Sequence, residues 1–286
     1  MLAFVLLFII AVATAANAPE LTFKFTKNNV PGAKQTEAEG INNAGVTVGQ
    51  YWDSNNVPHG YILKGKKLTK LDDPNGSNTI ASDLPYNGAI KVVGWYTNSA
   101  GADVGFLYDD KTKQFTDIPG PPGTRALEAG WINDKGEIVG YYEDSSLHGH
   151  GFLLQGRKYK TLDVPGAVST TADGINNKGD ILLLWWNSSG VEHSYLYKDK
   201  KYIPIDVPGA TNSQANGINN EDDIAYWWDD SSGRYHGALL HGGKYYKFDY
   251  PKAYGTYADG INDKHTISGG YEAKRGGPWS GFKATY

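Results

Sequence analysis

Aromatic, acidic and histidine side chains recur in this chain at one fixed spacing. The aromatic stands at Tyr51, Tyr96, Tyr142, Trp185, Trp228 and Tyr271. Two residues on comes an acid or amide in five of these places: Asp53, Asn98, Asp144, Asn187 and Asp230. Eight residues after the aromatic stands His59, His150, His193 or His236, replaced by Val104 in the second place and shifted to Ser280 in the sixth. Beside each aromatic sits a more variable neighbour: Trp52, Trp95, Tyr141, Trp186, Trp227 and Gly270. Aromatic faces stack on the apolar faces of sugar rings while Asp and Asn fix hydroxyls, which is the mixture a carbohydrate site needs. The candidate ligand-binding residues are therefore Trp52, Trp95, Tyr141, Trp186, Trp227, Asp53, Asp144, Asp230, His59, His150, His193 and His236. A packing reading competes, because repeated residues follow repeated packing and a His joined to an Asp staples a sheet without any function. It suits Tyr51 and its equivalents and the His series; the variable indoles are the better candidates for a ligand.

Signatures of bond-breaking chemistry are thin. A glycosidase needs two carboxylates about 5 to 10 Å apart. The singular acids Glu128, Glu143, Glu192 and Asp229 cannot be paired by spacing alone. The sequence has no serine nucleophile elbow, no H-E-x-x-H and no phosphate loop. His148-Gly149-His150 and Asp229-Asp230-Ser231-Ser232-Gly233 are better read as a loop with a staple and as a turn than as metal sites. No catalytic residue, metal site or cofactor is assigned.

The elements that must position these groups follow from a longer period. A Val-Pro-Gly-Ala-like corner recurs with its proline at Pro31, Pro74, Pro119, Pro165, Pro208 and Pro251, in steps of 43, 45, 46, 43 and 43 residues. Nine residues beyond four of these prolines comes Gly-Ile-Asn, at Gly40, Gly174, Gly217 and Gly260. The third copy is stretched to Ile132-Asn133, and the second is degenerate at Asp83-Leu84-Pro85. A period in the mid-forties is one four-stranded propeller blade. Within the fourth copy, period-two segments at 170–176, 180–186, 193–197 and 201–206 are separated by hairpin turn sequences. The fold class is all-β: a six-bladed propeller of four-stranded blades over residues 21–286. Loops between second and third strands share a face with the corners, which gathers the recurring groups at one rim.

The ends of the chain fit together. The sixth copy stops after its third strand, while Leu21-Thr22-Phe23-Lys24-Phe25 resembles a fourth strand. The N-terminal strand is expected to complete the last blade, burying two sheet edges. Donation of that strand to a neighbour would instead build a polymer, so both a monomer and a self-assembling chain stay open.

The quoted motifs Asp163-Val164-Pro165-Gly166-Ala167, Gly130-Trp131-Ile132-Asn133, Gly140-Tyr141-Tyr142-Glu143-Asp144 and His150-Gly151-Phe152-Leu153 resemble the HAF-type extracellular repeats of bacterial secreted proteins. The resemblance runs from Phe23 to the C-terminus. It implies a secreted, propeller-like repeat protein with no assigned activity. Copy two, without Gly-Ile-Asn and the His, and copy four, with Leu183 and Leu184 for the usual Gly, depart from it and break the symmetry of any ligand site.

Composition narrows the class. The net charge of -4 shows no basic cluster and argues against nucleic acid. The apolar run Leu2 to Val12, followed by Ala13-Thr14-Ala15, reads as a signal peptide over residues 1–15, too short to span a bilayer. A retained anchor is the alternative; after cleavage no membrane span remains. The absence of cysteine removes disulfides and thiolate metal sites, so the core alone must hold a secreted domain. The leading expectation is a secreted, non-catalytic propeller binding an extracellular glycan or polymer. A structural protein of a surface layer or fibre is the second, and a carbohydrate-active enzyme with its site in the channel the third.

Overall fold

The Val-Pro-Gly-Ala corners are tight turns in which Ala33, Ala167 and Ala210 N–H groups donate to the carbonyls of Val30, Val164 and Val207. Gly32, Gly166 and Gly209 take φ of 79°, 83° and 75° there, a region open to glycine, with proline setting the preceding residue. A hydroxyl of the following strand then accepts the N–H that precedes the proline: Thr36 from Val30, Thr79 from Asp73, Thr170 from Val164, Ser213 from Val207 and Thr256 from Tyr250. Five of the six corners are thereby fixed to the strand they launch; at the third the Ile118 N–H donates to the Gly105 carbonyl instead.

The computed structural model describes residues 21–286, so the leader proposed for 1–15 lies outside the described residues. The chain forms six antiparallel four-stranded blades in a ring. The first contains β2 (Gln35–Ile41), β3 (Thr47–Trp52), β4 (Pro58–Lys64) and β5 (Lys67–Leu71). The second contains β6 (Gly76–Asp83), β7 (Lys91–Asn98), β8 (Asp103–Asp109) and β9 (Gln114–Asp117). The third runs β10 (Thr124–Ile132), β11 (Ile138–Asp144), β12 (Gly149–Gln155), β13 (Lys158–Thr161), and the fourth β14 (Ser169–Ile175), β15 (Ile181–Trp186), β16 (Glu192–Lys198), β17 (Lys201–Pro204). The fifth holds β18 (Asn212–Ile218), β19 (Ile224–Asp229), β20 (Tyr235–His241) and β21 (Lys244–Phe248). The sixth holds β22 (Gly255–Ile261), β23 (Thr266–Glu272) and β24 (Trp279–Thr285), and its fourth strand is β1 (Lys24–Lys27).

That closure is made within one chain. Lys24 lies opposite Thr285 and Lys27 opposite Phe282. Phe23 meets Phe248 at 4.4 Å between centroids, and Phe25 meets Tyr250 at 5.4 Å and Phe282 at 5.7 Å. These contacts join the N-terminal strand to the fifth blade as well as the sixth.

The apolar core lies between blades and not on the axis. One cluster joins Val48, Ile62 and Leu71 of the first blade to Val92, Tyr96 and Phe106 of the second. Another joins Leu182 and Leu196 of the fourth to Tyr226 and Trp228 of the fifth. The first strands crowd around the axis, which explains the glycine of Gly-Ile-Asn. A Cβ on Gly260 would stand 2.4 Å from the Glu39 carbonyl, and one on Gly217 2.4 Å from that of Asp259.

Gly49, Gly94, Gly140 and Gly269, each two residues before the recurring aromatic, are required by the blade's own first strand. A Cβ there would sit 2.0, 1.9, 2.0 or 2.2 Å from a carbonyl of the blade's own first strand, at Glu37, Ile80, Glu128 or Tyr257. Each of those strands carries a β-bulge beside the contact.

The face opposite the corners is sealed by amides. The Asn of Gly-Ile-Asn donates to the backbone of the next blade, Asn133 to Asn176, Asn176 to Asn219, Asn219 to Asn262 and Asn262 to Asn42, at 2.8 to 3.3 Å. The next position forms a complete belt through Asn43, Asn87, Asp134, Asn177, Asn220 and Asp263. Where the second copy departs from the repeat, Tyr86 reaches across the axis and its hydroxyl donates to the Ile218 carbonyl of the opposite blade. The channel thus has a floor.

Candidate functional site

The strand register places each rim histidine opposite its aromatic: Tyr51 and His59, Tyr142 and His150, Trp185 and His193, Trp228 and His236. The rings lie against each other at 4.5 to 5.2 Å between centroids. Each His Nδ1 then meets an aspartate thirteen residues on, Asp72, Asp163, Asp206 or Asp249, at 2.8 to 2.9 Å. Those aspartates sit at the end of the fourth strand, so the imidazole ties strand three to the corner. On its other side Nε2 faces Asp53, Asp144, Asn187 or Asp230 at 3.3 to 3.6 Å.

The same Asp or Asn also caps its own loop. Asp53 Oδ1 accepts the N–H groups of Asn55 and Val57, Asp144 those of Ser146 and His148, and Asp230 those of Ser232 and Arg234. These bonds hold all three carboxyls below the usual carboxylate range; for Asp230 the Ser232 hydroxyl is the largest cause. Burial works against protonation of His150, but Asp163 and Asp144 outweigh it and raise its pKa. The second blade has no His, and the Tyr96 hydroxyl donates to Asp117 instead. The acids and histidines at the rim are therefore engaged with each other and with the backbone.

The variable aromatics face elsewhere. Trp227 lines a well of about 430 Å³ on the axis, together with Trp131, Tyr235, Tyr257 and Trp279. An adjoining recess shares Trp131 with it and adds Trp95, Tyr141 and Trp186. Trp52 lies apart from both, beside Lys34, Gln35, Asn56 and Pro278. Trp228 is only 8% exposed, with its Nε1 donating to the Gly237 carbonyl, while Trp227 is half-buried with its Nε1 donating to Gln214. In the sixth blade Gly270 leaves a gap, and Trp279 of the next strand fills it, 4.4 Å from Tyr257.

Between the aromatics stand carboxylates from the first strands, which sequence reasoning missed. Gln35, Glu37 and Glu39 alternate with buried Thr36 and Ala38 along β2, so the acids point into the well. Glu37 accepts from Gln35 and Gln50 at 2.9 and 2.7 Å. Asp259 of β22 accepts from Asn216 at 3.1 Å, and its other oxygen is buried with no partner. Ser82 lies beside Glu39 with its buried hydroxyl also unpartnered by hydrogen-bond geometry. Burial pushes Glu39 and Asp259 well above the carboxylate range, with mutual repulsion raising Glu39 further. Burial also raises Asp83 to about 8 and Glu128 and Asp173 to about 7. The signal available in the sequence was alternation in a small-residue inner strand, where an acid has only the axis to face.

Of the singular acids, Glu128 joins the recess on the axis. Glu143 pairs with Arg125, Glu192 accepts from Trp186 and Asp229 from Asn212, so they are not brought together. His148 is an exposed loop residue 3.9 Å from Asp144. On the opposite face Glu221, Asp223 and His265 bring one ligand atom each within 4.8 Å of one another, the single grouping of that kind among the described residues. Its members are already engaged, His265 with Glu221 and Asp223 with His241 and Tyr286.

No family model and no curated protein matches the chain. Solved structures do. The SapL1 lectin in complex with alpha methyl fucoside superposes with a TM-score of 0.56 at 8% identity, over 90% of this chain and 95% of that one. The β-propeller domain of the Trilobed protease from Pyrococcus furiosus gives 0.54 at 12%, over 90% and 94%. The six-bladed fucose-recognising lectin of Aleuria aurantia gives 0.50 at 14%, over 90% and 96%. At these identities the likeness establishes the propeller fold.

Proposed function

We propose that this chain is a secreted, non-catalytic propeller of HAF-like repeats that binds a saccharide in its axial well. The observation that carries this reading is the well itself: stacking faces of Trp131, Trp227, Tyr257 and Trp279 interleaved with carboxylates and amides above a closed floor. The lectins among its structural neighbours lend support, since two of them are described with fucose or a fucoside. The site differs from six equal rim sites in being single and on the axis. Secretion rests on the leader-like residues 1–15, and N-terminal sequencing of protein from culture medium tests it.

Calorimetry against a panel of oligosaccharides tests the binding. Trp227→Ala is expected to weaken binding about tenfold or more, the loss of one stacking face. Unchanged affinity in that variant sinks the axial assignment.

One observation favours a second reading. Glu39 and Asp259 are neighbouring buried acids, both raised above the carboxylate range by burial, and a pair of carboxyls about the scissile bond is what glycoside hydrolysis requires. Release of reducing ends from the bound oligosaccharide would decide for cleavage.

A further inference from the structure

The charge of the well narrows its ligand. Its walls carry Glu37 and Glu39 from β2 and Asp259 from β22, and no Lys or Arg among the described residues lines it. The neighbouring first strands extend the same sign: Asp83 on β6, Glu128 on β10 and Asp173 on β14, with only Gln214 and Asn216 contributed by β18. Six acids around one axis, with no cation among the described residues to pair with them, are costly to ionise there and are pushed toward the protonated form. A fold tolerates such a group where a ligand relieves it.

Two further observations point to a ligand at that place. Ser82, 4% exposed, has a hydroxyl without a hydrogen-bond partner, and the outer oxygen of Asp259 is equally bare. Both residues line the well. Buried polar atoms are nearly always satisfied, so two orphans in one cavity call for a donor from outside. The aromatic walls set the nature of that donor. Electron-rich faces of Trp227, Tyr257 and Trp279 beside carboxylates form a surface for a cation attached to an apolar body. A neutral sugar leaves the acids unpaired, and a uronic or sialic acid adds to their repulsion.

We infer that the well takes a saccharide bearing free ammonium groups, an amino sugar in its deacetylated form, with the ammonium held by Glu37, Glu39 and Asp259 and the ring stacked on the indoles. This rests on the saccharide reading above. Binding should release protons, because an ammonium beside acids raised by burial draws them back toward ionisation.

Three β-1,4-linked tetramers of the same backbone test it: glucosamine, N-acetylglucosamine and glucose, titrated into the intact chain near neutral pH. The glucosamine tetramer is expected to bind about tenfold tighter than either of the others, more weakly as salt rises, and with an enthalpy that changes with buffer because protons are released. Glu37→Gln and Glu39→Gln should remove that preference, with thermal melts no lower than the parent's because each change replaces an acid that is costly to ionise in that setting with a neutral amide. Trp227→Ala should weaken whichever tetramer binds. Binding of the acetylated or neutral tetramer with equal or greater affinity overturns the ammonium assignment and leaves the saccharide reading standing. No binding by any of the three overturns the assignment and counts against the saccharide reading as well.

Discussion

The rim and the axis of this propeller use the same residue types for opposite ends. At the rim an aromatic, a His and an Asp (Asn187 in the fourth copy) recur four times in one geometry, and each His Nδ1 has a carboxylate partner in its own blade. On the axis the acids are shared unevenly among the first strands, two from β2, one each from β6, β10, β14 and β22 and none from β18, and two polar atoms lie buried without partners. Repetition marks what each blade needs in order to stand beside the next. Departure from repetition marks where the ring has been adapted.

The second blade makes the point at a single residue. Where four copies have Gly-Ile-Asn, it has Asp83-Leu84-Pro85-Tyr86, and Tyr86 crosses to Ile218 to close the floor. The sequence identifies that copy as degenerate but gives no direction for the tyrosine, because the partner lies 132 residues away.

The largest effect expected is at the closure. Removing residues 21–29 takes Phe23 and Phe25 from the contact between the last two blades and exposes the edge of β24. Two such rings are worth roughly 3 kcal/mol even at partial burial, out of a typical margin of about 5 to 15. Thermal unfolding should therefore fall for the ring as a whole. An unchanged midpoint would make β1 an appendage, and the comparison between rim and axis would then concern an open ring.

The doubled indoles of the fifth blade set rim packing against axial binding within two adjacent residues. Trp228 is sandwiched between His236 at 4.5 Å and the Lys247 ammonium at 3.7 Å, whereas Trp227 borders the well. Trp228→Ala should cost about 3 to 5 kcal/mol of stability. Trp227→Ala should cost about 1 kcal/mol, with its main loss in binding. Chemical denaturation of both variants measures the contrast, and equal costs would erase the distinction between the two positions.

Much of this was legible in the sequence. Six blades, the in-chain closing strand and the burial of Trp228 beside a more open Trp227 follow from period, alternation and register. The axial acids were not legible, because opposing carboxylates such as Glu39 and Asp259 are 220 residues apart and meet only when the ring closes. The rim staple was half legible: His236 stood out, while Asp249 was hidden in the corner motif, thirteen residues on.

The smallest expected effect is a difference of sign. Burial raises Asp173 on the axis to about 7, so the stability tied to its proton is present below about pH 4 and lost as pH rises through about 7. At the rim Asp230 is lowered by hydrogen bonds to its charged form, so its contribution is present above about pH 4 and lost as pH falls below it. The repeat provides a matched substitution for each. Asn216 stands in the fifth blade where Asp173 stands in the fourth, and Asn187 caps the fourth-blade loop as Asp230 caps the fifth. Asp173→Asn should gain on the parent chain as pH rises from about 4 to 8, on the order of 2 to 4 kcal/mol at the upper end. Asp230→Asn should keep its turn, fall slightly below the parent at neutral pH, and close that gap in acid. Unfolding curves from about pH 2 to 8 measure both slopes. Two slopes of the same sign would mean that axis and rim present one electrostatic environment, and the division between adapted and repeated acids would fail.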